Sequence, residues 1–111
     1  FFLGVVADNT WNAGVVLGPQ VTAWRNIDLA GTRGAMIING QRAGEGKGGD
    51  VMGHPLEALA WLANTLAARG KSLSQGMIVM TGSIVSTKFL NQGDEVEFAI
   101  DTLGGVRLTV G

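Results

Sequence analysis

Hydrophobic and polar positions along the chain follow two clear periods, with short apolar runs between them that follow neither. Residues 55–69 carry Leu56, Leu59, Ala60, Ala63, Leu66 and Ala67 at three-and-four spacing, widened by Leu62. That spacing predicts an amphipathic helix with Glu57, Asn64 and Arg69 left wet. Pro55 suits the first helical position, where its missing N–H costs nothing, and Gly70 suits the stop. Val96, Phe98 and Ile100 alternate with Glu95, Glu97 and Ala99, the period-two pattern of a half-buried strand. Gly104-Gly105 is expected to turn that strand into a second arm carrying Val106, Leu108 and Val110. Asn39-Gly40, between residues 35–38 and 41–43, supplies both positive-φ positions of a tight hairpin turn.

The remaining segments are read from shorter signals. Residues 14–17 and 77–80 are apolar enough for brief buried strands, the first ended by Gly18-Pro19 and the second entered through Gln75-Gly76. Residues 20–26 keep no period and read as a surface connection, and residues 44–53 as a glycine-rich loop. No repeat, linker or low-complexity tract interrupts residues 1–111, so one α+β domain is expected. A mixed β-roll or half-barrel with one main helix packed on its side would use up the strand edges.

Composition narrows the function classes. Eight basic and nine acidic residues give a net charge of −1, no footprint for nucleic acid or an anionic membrane. No apolar run reaches the roughly 20 residues that cross a bilayer. There is no cysteine, hence no disulfide or thiolate metal site, which fits a cytoplasmic protein. Charged residues are only 15% of the chain, against a usual fraction of about 25%. With 46% apolar residues and 18 glycines, the chain is expected to bury surface against something else. A further segment or a homo-oligomer interface would do so. The chain opens Phe1-Phe2 without an initiator Met, and a preceding segment is expected.

Several clusters could carry chemistry. Asp8, Asn9 and Asn12 beside Trp11 either cap turns or form one wall of a pocket. Trp11 and Trp24 could instead anchor an interface. Thr81-Gly82-Ser83 follows the 77–80 run, where hydroxyls and free amides can hold a carboxylate or carbonyl oxygen, or simply line a turn. No partner base marks Ser83 as a nucleophile. His54, the only histidine, either orients the helix start through its ring or acts as an acid or base. The Gly44-Glu45-Gly46-Lys47-Gly48-Gly49 match to GxGxxG lacks a helix at its third glycine and an acid about 20 residues onward. A connection between strands or a loop near a site explains it better than a nucleotide.

Several of these motifs carry a family resemblance. Val6-Ala7-Asp8-Asn9 with Asn12-Ala13-Gly14-Val15-Val16-Leu17-Gly18 resembles a segment of the 2-keto-4-pentenoate hydratase group of the fumarylacetoacetate hydrolase superfamily. Gly53-His54-Pro55-Leu56 with Ala60-Trp61-Leu62-Ala63-Asn64 is similar to that group's helix opening. Gly76-Met77-Ile78-Val79-Met80-Thr81-Gly82-Ser83 and Gly93-Asp94 fit its strand, glycine turn and terminal barrel, so the likeness runs from about Val5 to Val110. The resemblance implies a fumarylacetoacetate hydrolase C-terminal-like fold and a Mg²⁺ or Mn²⁺ that chelates an α-keto acid. The implied reaction ketonises a 2-hydroxy-2,4-dienoate of aromatic catabolism and adds water across its double bond. Relatives decarboxylate 4-oxalocrotonate or hydrolyse acylpyruvates instead.

Carried over by position, Asn9, Asn12, Thr81, Gly82 and Ser83 would bind substrate. Trp11 stands where some relatives carry a small residue or Ser, so the resemblance does not fix the substrate's distal end. The family's metal-binding glutamates and catalytic lysine belong to IEAEI-, E-V-x-x-S-R- and G-x-K-x-G-L-like motifs that this sequence does not contain. The chain is therefore expected to be the C-terminal portion of a longer catalytic domain, holding no metal and turning over no substrate alone. A homo-oligomer, with a related decarboxylase or hydratase as a further partner, is the expected assembly. The reading from another class is a non-catalytic domain that binds ligands or partners.

Overall fold

The computed structural model describes residues 12–111. Two antiparallel hairpins build its sheet. In the first, β1 (Arg33–Ile38) meets β2 (Gln41–Lys47) across Asn39-Gly40, whose φ angles of 51° and 77° are those of the expected turn. In the second, β3 (Glu95–Ile100) meets β4 (Gly104–Thr109). The two join through β1 and β3, with Met36 opposite Phe98, giving the order β2-β1-β3-β4. Alternation sends Met36, Phe98 and Ile100 toward one face and Arg33, Ala35, Ile37 and Ala99 toward the other.

The second hairpin turns earlier than expected. Its reversal falls at residues 101–103, with Thr102 at φ 66°, and Gly104 and Gly105 already belong to β4. Gly105 lies so close to its partner strand that an added Cβ would stand 3.1 Å from the Phe98 carbonyl. These glycines therefore serve close strand approach as well as reversal.

The helix α1 (Pro55–Ala67) ends two residues before the expected Arg69. The Lys71 and Gly70 amides close it on the carbonyls of Leu66 and Ala67, with Gly70 at φ 67°, a Schellman-type stop. His54 caps the other end, its Nδ1 accepting the Leu56 amide at 3.1 Å. This contact is the helix-orienting one of the two roles open to that ring. The half-buried stripe is Ala58, Leu59, Leu62, Ala63 and Leu66, while Leu56, Ala60 and Ala67 of the expected set are exposed. Trp61 is exposed as well.

The α+β class and the single main helix stand. Among the described residues the four strands form one antiparallel sheet, with β2 and β4 at its edges. The close contacts between these elements run strand to strand, β1 with β2, β1 with β3 and β3 with β4. Residues 14–17 and 77–80 form no strand, and Leu17, Ile78 and Met80 are exposed. An apolar run becomes a strand only where a ladder partner is within reach, and neither run has one among the described residues. The 20–26 connection holds a short 3-10 turn (Trp24–Asn26), where Arg25 stacks 4.6 Å from the Trp24 ring.

The predicted 44–53 loop is mostly regular structure. β2 continues to Lys47 past an irregularity opposite Met36 and Ile37, and a 3-10 turn (Gly48–Asp50) follows. Asp50 secures that turn by accepting the Lys47 amide at 2.8 Å. A Cβ on Gly48 would overlap the Leu29 carbonyl oxygen, and one on Gly46 the Ile84 carbonyl oxygen. Backbone crossing, not loop freedom, is the reason for these glycines. The hydrophobic core of the described residues is small, with Val51 and Val96 buried.

A polar clasp fixes the sheet at the opposite end. Asn39 donates through Nδ2 to Asp94 at 2.8 Å and accepts the Glu95 amide at 2.9 Å, while the Asn91 amide donates to the other Asp94 oxygen at 2.8 Å. The Asn91 amide, and after it the Asn39 side chain, hold the Asp94 carboxyl below its ordinary value of 3.8.

Substitutions at Gly48 and Asp94 test these contacts. Gly48→Ala should lower stability by about 1–3 kcal/mol, because a backbone carbonyl cannot give way as a side-chain tip can. Gly44→Ala, whose Cβ would meet only side-chain atoms, of Val85 at 3.3 Å and Lys88 at 3.8 Å, should cost less; urea midpoints compare the two. Because folding lowers the Asp94 pKa, its stabilisation is complete above the unfolded value and is lost as pH falls through the folded one. Asp94→Asn should flatten that acid limb of a stability-versus-pH curve, and an unchanged limb would refute the clasp.

Candidate functional site

The site is built where glycines remove side chains from one face of the sheet. Gly34 and Gly46 are direct partners across β1 and β2, and Gly44 is the partner of Met36. The trough they leave receives the segment after Met80. Ile84 passes over Gly34 and Gly46, and Val85 stands 3.3 Å from where a Gly44 Cβ would be. Gly82, at φ 141°, brings its backbone against Val51, whose Cγ1 would be 3.0 Å from a Cβ there.

This packing leaves a cavity of about 540 Å³ between the segment and the sheet. Thr81, Gly82 and Ser83 form one wall, and Met36, Val51 and Phe98 stand among the others. An apolar hollow of this size with a few convergent polar groups is the usual form of a small-molecule site. A second hollow of about 610 Å³ lies on the other face, lined by Arg33, Arg42 and Lys47 together with Glu45, Asp50 and Asp101. Its charges are of both signs and partly committed, Arg42 to Glu45 and Asp50 to the Lys47 amide. The apolar cavity is the better candidate, since it contains the groups suited to holding a carboxylate or carbonyl.

Thr81, Gly82 and Ser83 are not equivalent. The Ser83 hydroxyl donates to the Val85 carbonyl and receives the Val85 amide at 3.3 Å, so it is engaged in a local turn. Thr32, also on the cavity, donates its hydroxyl to the Leu29 carbonyl at 2.9 Å. Half-buried Thr81 is not held in such a turn and is the hydroxyl best placed to meet a ligand.

Asn12 is exposed and does not line this cavity. Asn9, with Asp8 and Trp11, lies outside the described residues. Sequence reasoning missed Met36, Val51 and Phe98. The alternation of β3 marks Phe98 as inward, but only strand pairing shows that Met36 faces it.

Among the described residues, no three His, Asp or Glu side chains gather to hold a metal ion. No described helix is long and apolar enough to cross a membrane. The sheet, the main helix and the glycine-floored cavity together define an α+β fold. Residues 2–111 match the family description "Fumarylacetoacetate (FAA) hydrolase C-terminal", and the chain belongs to that family.

Similar proteins include hydratases and decarboxylases. The chain is 41% identical over 99 residues to 2-hydroxyhexa-2,4-dienoate hydratase of Comamonas testosteroni, covering 89% of this chain and 38% of the relative. It is 35% identical over 104 residues to 4-oxalocrotonate decarboxylase of Pseudomonas putida, covering 94% and 39%. The structure of 4-oxalocrotonate decarboxylase from Pseudomonas putida G7 with calcium and acetate superposes with a TM-score of 0.91 at 33% identity. That likeness covers 98% of this chain and 42% of the decarboxylase. A second structure of that enzyme, with magnesium and adipate, matches equally well. The chain thus spans about two fifths of the length of these relatives.

Proposed function

We propose that the full-length protein is a divalent-metal-dependent hydratase that adds water to 2-hydroxy-2,4-dienoates in aromatic catabolism. The observation that carries this reading is the 41% identity to a 2-hydroxyhexa-2,4-dienoate hydratase across nearly the whole chain. The Thr81–Ser83 wall on an apolar cavity supports it chemically. The Thr81 hydroxyl and the amides of Gly82 and Ser83 would hold oxygens of the keto acid, while the apolar walls would seat its carbon chain and keep stray water away. Asn9 is proposed as a further substrate contact, whereas Asn12 stands exposed away from this cavity.

Calcium and magnesium accompany the decarboxylase structures. For this protein we propose Mg²⁺ or Mn²⁺. The described residues offer no donor set for it, so its ligands would come from the rest of the protein. A cytoplasmic homo-oligomer is proposed from the low charge and the exposed apolar side chains, among them Phe89 at 91% exposure.

The 0.91 superposition favours a second reading, 4-oxalocrotonate decarboxylase. Product analysis of the full-length enzyme separates the two. A 4-hydroxy-2-oxo acid formed without CO₂ is expected, and CO₂ release from 4-oxalocrotonate would overturn the hydratase assignment.

Thr81→Val should raise KM for the dienoate by about tenfold or more, the loss of one hydrogen bond to a charged or polarised oxygen. Thr81→Ser should restore most of it. Steady-state kinetics that show no change in Thr81→Val would remove Thr81 from the site.

A further inference from the structure

We propose that Ser83 is a positioning residue. Its hydroxyl fixes the backbone from which the Thr81 hydroxyl reaches a bound keto acid, and it does not touch the ligand itself. The inference rests on the keto-acid reading of the Thr81–Ser83 wall and assigns the group that sets the geometry of that wall.

The Ser83 hydroxyl is used twice on one residue. It donates to the Val85 carbonyl and accepts the Val85 amide at 3.3 Å, closing a small loop around Ile84. Hydroxyl bonds to nearby backbone hold a chain in a turn without the help of a ladder. Ile84 is also the residue that fastens this segment to the sheet. Its Cδ1 stands 2.6 Å from where a Gly34 Cβ would be, and its carbonyl lies on Gly46. The loop therefore ties the Ser83 backbone to the glycine trough.

The other end of the wall is fixed by packing. Gly82, at φ 141°, lies against buried Val51, whose Cγ1 would be 3.0 Å from a Cβ there. Glycine has little preference of its own for such an angle, so its neighbours must define it. Val51 limits Gly82 from below, and the Ser83 loop limits it from the following residue. Thr81 precedes these two restraints and takes its direction from them. A hydroxyl aimed before the ligand arrives loses less freedom on binding than one that must be ordered by it. Ser83 is exposed, so removing its hydroxyl opens no hole in the core of the described residues.

The test titrates the full-length protein, loaded with magnesium, with 2-oxopentanoate, a saturated and therefore unreactive 2-oxo acid. Ser83→Ala should weaken binding by about tenfold, and Ser83→Thr, which keeps the hydroxyl, should restore most of it. In a Thr81→Val background the same Ser83→Ala step should cost at most about twofold, because a group that acts through Thr81 then has little left to position. Where Ser83→Ala does not fold, Ser83→Val takes its place, since it matches Ser83→Thr in shape and differs only in the hydroxyl. An equal loss in both backgrounds would overturn the proposal by marking Ser83 as a direct contact. A loss that Ser83→Thr leaves unrestored, or no loss at all, would overturn it too. Natural protein that binds no 2-oxo acid would overturn the keto-acid reading and this proposal together, and CO₂ release from 4-oxalocrotonate would sink the hydratase reading alone.

Discussion

The packing of residues 82–85 onto the sheet depends on the absence of a Cβ at neighbouring positions of β1 and β2. Gly34 and Gly46 face each other across the ladder, and Ile84 occupies the volume their side chains would have taken. Any larger residue at Gly46 would collide with a backbone carbonyl, which has no rotamer by which to escape. This contact positions Thr81, Gly82 and Ser83 over Met36 and Phe98. The candidate site is therefore a consequence of how two backbones approach, more than of any cluster of reactive groups.

The same constraint explains a motif that resembles something else. Glycines spaced as in Gly44-Glu45-Gly46-Lys47-Gly48-Gly49 could cradle a phosphate if they opened a helix. Here Gly44 and Gly46 belong to an edge strand beneath another segment, and Gly48 begins a 3-10 turn under the Leu29 carbonyl. Steric demand from above and phosphate binding select for the same residue. Only the neighbouring chain reveals which demand is present.

Stability is distributed unevenly over this architecture. The sheet is held by its ladder and, at one end, by the clasp of Asn39, Asn91 and Asp94. Few side chains are buried, and Phe89 and Met80 remain exposed at 91% and 68%. A surface so apolar is rarely left to water in a finished protein. It accords with a chain that spans about two fifths of the length of its relatives.

Sequence by itself determined the elements whose signals are local. The Asn39-Gly40 turn, the α1 stripe with its Pro55 start and Gly70 stop, and the alternation of β3 were all legible, because dihedral preference and side-chain period act within a few residues. The Thr81–Ser83 segment was also legible as a candidate wall, since hydroxyls after an apolar run are a chemical signal. Tertiary structure decided the rest. It showed that the 14–17 and 77–80 runs are not strands, since an apolar run acquires a ladder only from a distant partner. It extended β2 through glycines that looked like a loop and moved the second turn from Gly104-Gly105 to residues 101–103. It also put Met36 and Phe98 opposite Thr81 and sent the cations to the other face. Those placements depend on register between strands about sixty residues apart, which no local pattern encodes.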